Sequence, residues 1–204
     1  IVDQPIQQAS VIDSYPLSST QAGMLFHALR HAAGQGIDIQ QIGMTVLTPL
    51  DPGLFVYAWY QVMERHAVLR TRLRWEGLKT PPVQEVLDAV ELPVTRVDWR
   101  GLAAETLRDR LLAQANAERA EGFNLAKAPL MRLFMARVGD GAWSVLWTFH
   151  HAILDGRSFP VVLREVFDIH DSLRGRKEPS LPLPMPFRRY VELCESTATA
   201  EAES

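Results

Sequence analysis

The sequence has a single cysteine, Cys194, among its 204 residues, so an internal disulfide is excluded. One unpaired thiol is typical of a reducing compartment, and we expect a cytoplasmic protein. No apolar run approaches the roughly 18 residues that a membrane-spanning helix needs, and the first ten residues lack the basic and apolar regions of a signal peptide. The sequence therefore predicts no membrane partner.

An excess of positive charge is also missing. The chain carries 21 Lys and Arg against 24 Asp and Glu, a formal net charge of -3. A nucleic-acid-binding domain needs a basic surface to neutralise phosphates, so we expect no nucleic-acid partner. The hydrophobic fraction of 47% and the charged fraction of 22% are ordinary for a globular protein that buries a sizeable core.

Helical periodicity appears in four segments. One begins at Ser18 or Ser19 as N-cap, the second at Asp51-Pro52, the third covers residues 103–121, and the fourth runs from Ser158 as N-cap to about residue 173. Apolar residues at helical spacing predict the buried faces: Ala22, Leu25, Phe26 and Leu29; Leu54, Phe55, Ala58, Trp59, Val62 and Met63; Leu107, Leu111, Leu112 and Ala115; Val162, Val166 and Ile169.

Strand signals lie between these helices. Residues 40–48 alternate, and LRTRLRWEG, PVQEV and LPVTRVDW are further candidates. MRLFMARV and AWSVLWTFHH flank the tight turn GDG at 139–141, which predicts an antiparallel hairpin. The irregular alternation predicts an α/β (α+β layered) fold, a mixed sheet with helices packed on it. PFRRYVEL predicts the start of another element, and the small-residue tail STATAEAES is expected to be disordered.

The most informative stretch is FHHAILDGRS, residues 149–158, where two histidines end an apolar strand and a helix follows. Side chains of neighbouring strand residues point to opposite faces, so His150 and His151 cannot both face one substrate. One is expected to be buried and the other to face a cleft. The same geometry disfavours a metal site, because adjacent strand residues rarely chelate one ion and no further ligand cluster completes a set. Two structural histidines are the remaining alternative.

The residue types in this turn suit acid–base chemistry. A neutral imidazole accepts a proton near pH 7, so His151 is a candidate general base. Asp155 either orients the histidine or binds a distant arginine. Gly156 permits close backbone approach or positive φ, and its N–H and that of Arg157 lie near a helix N-terminus that favours negative charge.

Four stretches, in the same order, resemble motifs of the condensation domains of nonribosomal peptide synthetases, which share the chloramphenicol acetyltransferase fold. FHHAILDGRS resembles the HHxxxDG signature, and YPLSSTQAGMLFH (residues 15–27) resembles the first motif of the family. RHAVLRTRL (residues 65–73) resembles RHExLRTxF, and GFNLAKAPLMR (residues 122–132) resembles FDLxxxPLxR. The resemblance implies one chloramphenicol acetyltransferase-like lobe at residues 1–185, the N-terminal lobe of two, and the start of an inter-lobe connection with a flexible tail at 186–204.

The resemblance also implies residue roles. His151 is expected where donor and acceptor meet, deprotonating or positioning the attacking amine, and His150 is expected to support the turn. Asp155 is expected in a salt bridge with Arg65, and Gly156 is expected to line the site. Ser158 is expected to cap the following helix.

The implied reaction is amide formation between a donor thioester and an acceptor aminoacyl thioester. Both are carried on the phosphopantetheine of carrier proteins, and no bound cofactor or metal is implied. The implied partners are donor and acceptor peptidyl carrier protein domains, the C-terminal lobe of the condensation domain and an adenylation domain. The lobe alone is expected to be inactive. Three alternatives stay open: an epimerization or other tailoring relative, an ester-forming acyltransferase, and a non-catalytic recruitment lobe.

Overall fold

The structure, a computed structural model, describes residues 9–30, 36, 38–77 and 81–202, without the side chains of residues 195 and 197–202. It contains seven strands and five helices, with a short 3-10 helix at Ala67–Arg70 after the second helix. In chain order they are β1 (Val11–Pro16), α1 (Ser19–Arg30), β2 (Ile39–Val46), α2 (Pro52–Arg65), β3 (Thr71–Arg74), β4 (Val83–Leu87), β5 (Val94–Asp98), α3 (Ala104–Glu121), β6 (Met131–Arg137), β7 (Trp143–His150), α4 (Phe159–Arg174) and α5 (Phe187–Ala202).

The strands form two sheets, where the sequence led us to expect one. The larger sheet has the order β2-β7-β6-β5; β5 runs parallel to β6 and the other pairs are antiparallel, so the prediction of a mixed sheet is confirmed. The smaller sheet is antiparallel, with the order β1-β4-β3. Because β1 and β3 occupy both edges of β4, no edge of β4 is left to join the larger sheet.

Strand β7 lies inside the larger sheet, between β2 and β6, and every one of its eight residues is buried. On one face of the sheet, Trp147 packs against Trp59 of α2 with ring centroids 4.7 Å apart, and helix α4 contributes Val162 to the same core. On the other face, Leu146 packs with residues of α3. The strand that leads into the two histidines is thereby held on four sides.

Helix α2 matches its prediction closely. The Asp51 carboxylate accepts hydrogen bonds from the N–H groups of Gly53 and Leu54, and Pro52 occupies the first turn, where no intrahelical bond is lost. The predicted apolar stripe packs into the main core, with these members buried: Phe55, Ala58, Trp59, Val62 and Met63.

Helix α1 begins as predicted, but Leu25 is the only residue of its predicted apolar face that is buried. Ser18 and Gln21 form a reciprocal capping box, with Ser18 N–H to Gln21 Oε1 at 2.9 Å and Gln21 N–H to Ser18 Oγ at 3.2 Å. Gln21 and Leu25 are buried, whereas Phe26 and Leu29 are 56% and 55% exposed. Hydrogen bonds from the buried Gln21 side chain turn this face inward, and Ala22 with the two large apolar residues faces outward.

Helix α3 also departs from the predicted stripe, because Leu112 is exposed. Its inward face instead ends at the buried Glu118, whose carbonyl accepts a hydrogen bond from Arg132 of β6 at 3.1 Å. Helix α4 carries the predicted inward residues Val162, Val166 and Ile169, all buried.

The C-terminal segment is helical, which corrects the prediction of a disordered tail. PFRRYVEL does start an element, and that element, α5, continues through Ala202. Its Val191 is 1% exposed and packs against Tyr15 and Val86 of the smaller sheet, which gives the helix an anchor that the composition of its tail does not reveal. Among the described residues, no helix combines the length and apolarity needed to cross a bilayer.

Candidate active site

The two histidines stand where β7 ends and the connection to α4 begins. Main-chain hydrogen bonds fix this point: His150 N–H donates to the Leu130 carbonyl at 2.9 Å, and His151 N–H donates to the Asp38 carbonyl at 2.7 Å. The hairpin strand β6 and the start of β2 therefore hold the pair from both sides, because Leu130 precedes β6 and Asp38 precedes β2.

His150 is the buried member of the pair, 4% exposed. Its Nδ1 accepts a hydrogen bond from the Ala152 N–H at 3.1 Å, so Nδ1 carries a lone pair and the neutral ring holds its proton on Nε2. Burial lowers the pKa of His150 to about 4, with the nearby Asp38 carboxylate acting in the opposite direction. The ring is therefore neutral near pH 7, as a packed, supporting residue requires.

His151 is partly exposed, whereas its neighbour His150 is buried. Its Nδ1 lies 2.7 Å from the Leu154 carbonyl oxygen. A carbonyl can only accept, so Nδ1 must carry the proton of the neutral ring, and the lone pair stands on Nε2. This contact within the turn fixes the tautomer and leaves Nε2 as the atom able to accept a proton.

Asp155 does not form the predicted salt bridge with Arg65. Its Oδ1 accepts hydrogen bonds from Arg157 N–H at 3.0 Å, from Ser158 N–H at 2.7 Å and from Ser158 Oγ at 2.6 Å. The hydrogen bond from the Ser158 side chain, helped by the two main-chain N–H groups and by proximity to His151, lowers the pKa of Asp155. Sequence spacing left open whether Asp155 orients the histidine or binds a distant arginine. In the structure its hydrogen bonds go to Arg157 and Ser158, so it orders its own turn.

Arg65 pairs with Glu165 instead. The Arg65 Nε lies 3.2 Å from Glu165 Oε2, and its Nη2 donates to the Pro182 carbonyl at 2.6 Å. Arg65 ends α2, which packs along α4, so its guanidinium meets the second turn of α4 rather than the connection before that helix. His66 Nε2 reaches the same carboxylate oxygen at 2.8 Å.

Of the two properties expected of Gly156, the structure excludes positive φ and leaves close backbone approach open, whereas Ser158 does not cap the following helix through its side chain. Gly156 has no positive φ, and a Cβ atom there would find nothing within 4 Å among the described residues, so the space above it is open. Ser158 precedes α4 but makes no side-chain capping bond, since its backbone is already helical and its Oγ donates to Asp155. Of the two N–H groups expected to favour negative charge, that of Arg157 is already donated to Asp155.

Sequence reasoning missed the supports of the turn that come from far along the chain. The Ala152 carbonyl, directly after His151, accepts a hydrogen bond from Gln21 Nε2 at 3.0 Å, and Gln21 is paired in turn with Gln84 of β4. The only signal available was the place of Gln21 in the motif-like stretch YPLSSTQAGMLFH.

In the part of the chain that the structure describes, no three His, Cys, Asp or Glu side chains are grouped to hold a metal ion. The chemical resources of the turn are an imidazole nitrogen with a free lone pair, a carboxylate that orders the turn, and open space above a glycine. This arrangement suits the acceptance of a proton, or of an N–H hydrogen bond, from a group that arrives from outside the lobe.

Comparison with known proteins agrees with this geometry. A family model described as the condensation domain matches residues 11–203. The chain is 40% identical over 197 residues to one of the linear gramicidin synthase proteins of Brevibacillus parabrevis, a match that covers 97% of this chain and 2% of that protein. It is 31% identical over 185 residues to tyrocidine synthase 2 of Brevibacillus parabrevis, which covers 91% of this chain and 5% of that protein.

Solved structures show the same fold. The starter condensation domain of rhizomide synthetase matches with a TM-score of 0.79 at 17% identity, covering 93% of this chain and 44% of that one. The first condensation domain of the calcium-dependent antibiotic synthetase, solved with a substrate analogue, gives the same score and identity over 93% of this chain and 46% of that one. This chain therefore belongs to the condensation-domain family of nonribosomal peptide synthetases and spans somewhat less than half of the solved domains that it matches.

Proposed function

We propose that this chain supplies the histidine-bearing half of a domain that forms amide bonds between two thioester-linked substrates. The observation that carries the proposal is the His151 ring, partly exposed, with its Nδ1 proton held by the Leu154 carbonyl and its Nε2 lone pair free. The attacking amine of an acceptor aminoacyl group would meet Nε2, while the donor thioester lies within reach of the amine. The amine displaces the thiolate, the C–S bond breaks, and the amine proton leaves through His151 or solvent.

A thioester is already activated, so most of the acceleration comes from holding two tethered reactants together. We propose that both reach the turn on the phosphopantetheine arms of donor and acceptor carrier proteins, and that the chain needs no bound metal or organic cofactor. The open space above Gly156 supports this, because a thin, extended arm can pass close to the main chain there.

The remainder of the domain is part of the proposal. The His151 side of the turn is partly exposed, and a reaction that depends on proximity needs a second surface to hold the other substrate. We propose that a C-terminal lobe supplies that surface, that an adenylation domain charges the acceptor carrier, and that the present chain alone does not form amide bonds.

The test uses the complete domain containing this chain, with both carrier proteins loaded. We expect His151→Ala to lower the rate of amide formation by about 100-fold or more while thermal stability stays close to that of the wild type. The control is Asp109→Ala, which removes an exposed side chain from α3, outside the four motif-like stretches, and should leave the rate unchanged. Product formation followed by mass spectrometry, with melting temperatures for each variant, measures both quantities.

The pH dependence separates two roles for His151. A general base gives a rate that rises with pH along the titration of one group, which disappears in His151→Ala. A residue that only positions the amine gives a weak pH dependence, and the loss then reflects geometry. If the stable His151→Ala variant forms product at the wild-type rate, the hypothesis that this turn takes part in catalysis is wrong. The alternative, a non-catalytic lobe that recruits carrier proteins, then explains the chain better.

A further inference from the structure

We infer that the buried pair Gln21 and Gln84 positions His151 by holding the main chain of its turn, so that both glutamines are positioning residues for the proposed reaction. The inference rests on the proposed function for its catalytic consequence, but its structural core is independent of activity. Its basis is a set of hydrogen bonds in which Gln21 of α1 pairs with Gln84 of β4 and donates directly to the Ala152 carbonyl, one residue after His151.

The two amides form a reciprocal pair. Gln21 Nε2 donates to Gln84 Oε1 at 3.1 Å, and Gln84 Nε2 donates to Gln21 Oε1 at 2.9 Å. The second hydrogen on each nitrogen is also used: Gln21 donates to the Ala152 carbonyl at 3.0 Å, and Gln84 donates to the Pro16 carbonyl at 3.0 Å. Gln21 Oε1 accepts, in addition, from the Ser18 N–H at 2.9 Å.

The orientation of both amides follows from their neighbours. The carbonyls of Ala152 and Pro16 can only accept, so each must face an NH₂ group, and the Ser18 N–H must face an oxygen. A flipped amide would therefore place like groups against each other in a site where Gln21 is 3% and Gln84 0% exposed. Because unpaired polar groups are costly when buried, the pair has one favourable arrangement.

This arrangement of the two amides affects the position of His151 because Gln21 holds the carbonyl of the next residue, Ala152. His151 is held at its N–H by the Asp38 carbonyl and at its ring by the Leu154 carbonyl. The Ala152 carbonyl lies between these two contacts along the chain, and Gln21 fixes it. The amide pair therefore adds a third fixed point, which comes from α1 and the smaller sheet rather than from the sheet that carries the histidine.

The first test observes the His151 ring directly in the complete domain containing this chain, by ¹⁵N-detected NMR of the imidazole. In the wild type we expect the Nδ1–H tautomer, with slow solvent exchange of that proton. In Gln21→Met, exchange should rise about tenfold, the size expected for the loss of one hydrogen bond next to the ring. Gln41→Met is the matched control, because Gln41 also donates to a carbonyl, that of Ala115, but does not touch the turn.

The double variant Gln21→Met/Gln84→Met separates positioning from general stability. Replacing both partners by apolar side chains removes the unpaired Gln84 amide, so thermal stability should recover part of the loss seen in Gln21→Met. The Ala152 carbonyl is still unheld, so exchange at His151 should stay at the single-variant level. If exchange instead returns to the wild-type rate with stability, or if Gln41→Met raises it equally for the same loss of stability, the positioning role is wrong.

The second test measures kinetics in the complete domain with loaded carriers. We expect Gln21→Met to lower kcat by about 100-fold, as a displaced reacting group does, with KM changed less than about threefold. An unchanged kcat in a variant with altered His151 exchange would overturn the catalytic consequence. If the wild-type rate proves independent of His151, the proposed function fails, while the NMR comparison still decides whether the glutamine pair positions the ring.

Discussion

Because His150 is buried, protonating its ring lowers the free energy of unfolding of the chain. Its pKa falls from 6.5 to about 4 on folding, whereas the unfolded chain titrates near the ordinary value. Between pH 6.5 and about 4 the unfolded state therefore binds more protons, and the free energy of unfolding falls as the pH drops through this window. Above that window both states are neutral and this residue adds no pH dependence.

We expect His150→Asn to remove this dependence, because asparagine does not titrate and its Oδ1 can still accept from the Ala152 N–H. Between about pH 7 and about pH 5 the wild type should lose about 2 kcal/mol more unfolding free energy than the variant. Urea denaturation at the two pH values measures the difference. Equal losses in both proteins would mean that His150 accepts a proton without penalty.

Asp155 and Arg65 should act independently, because they have separate partners. Asp155→Ala removes the acceptor for Arg157 N–H and Ser158 N–H and should cost about 1 kcal/mol, the usual value for a lost cap. In a double-mutant cycle with Arg65→Ala, the interaction energy should stay within about 0.5 kcal/mol. An interaction energy well above that value would instead indicate the direct Asp155–Arg65 ion pair that the family motifs led us to expect.

At the scale of elements, one carboxylate joins two helices, and its arginine partner also binds the segment between α4 and α5, residues 175–186. Glu165 of α4 is 6% exposed and accepts from Arg65 and His66 at the end of α2, while Arg65 also holds the Pro182 carbonyl. A buried carboxylate without such donors would be costly, so the three groups form a unit that sets how α4 lies on α2. Since α4 begins directly after the His151 turn, this unit also bears on the site.

Glu165→Ala should lower the free energy of unfolding by about 2–3 kcal/mol, since it leaves the partly buried donors of Arg65 and His66 without their acceptor. Asp98→Ala is the control, because Asp98 pairs with Arg100 on the surface, where salt bridges contribute little. Denaturant titrations of the two variants give the comparison. If both variants lose similar amounts of unfolding free energy, the Glu165 contacts stabilise the fold no more than the surface pair Asp98–Arg100.

Elements with local signals were predictable, and pairings across the chain were not. Asp51-Pro52 predicts the start of α2, and the apolar residues of 143–150 predict a buried strand. Both predictions succeed because these two features depend only on residues that are neighbours in the sequence. Gln21 and Gln84 are 63 residues apart, and Arg65 and Glu165 are 100 apart. Such partners become neighbours only after the helices have packed, so periodicity and capping rules carry no information about them.

The same limit explains the errors at the site. The family resemblance directed attention to the turn and its two histidines, but the partners of Asp155 and Arg65 depend on how far α2 reaches along α4. The outward face of α1 was assigned inward because hydrophobicity alone favours Phe26 and Leu29 over Gln21. A buried amide that satisfies every one of its hydrogen bonds outweighs that preference.

At the scale of the whole molecule, large apolar side chains are exposed on several elements. They include Phe26 and Leu29 on α1, Leu183 and Met185 before α5, and Tyr190 and Leu193 on α5. Exposed apolar surface tends to be covered by a partner. We expect the 204-residue chain to self-associate with rising concentration, and to become monomeric when co-produced with the proposed C-terminal lobe. Sedimentation at several concentrations tests this, and a chain that stays monomeric throughout would contradict it.

The glutamine pair has a consequence for recombination between related synthetases. A crossover placed near the start of α2 would take Gln21 from one parent and both Gln84 and the His151 turn from the other. The gramicidin and tyrocidine synthases that match this chain are 40% and 31% identical to it, so parents this distant differ at most positions. Such hybrids could keep every motif and still lose the alignment of the histidine. A crossover that keeps residues 16–158 from one parent inherits the complete set of hydrogen bonds, and libraries built that way should contain a larger share of active hybrids.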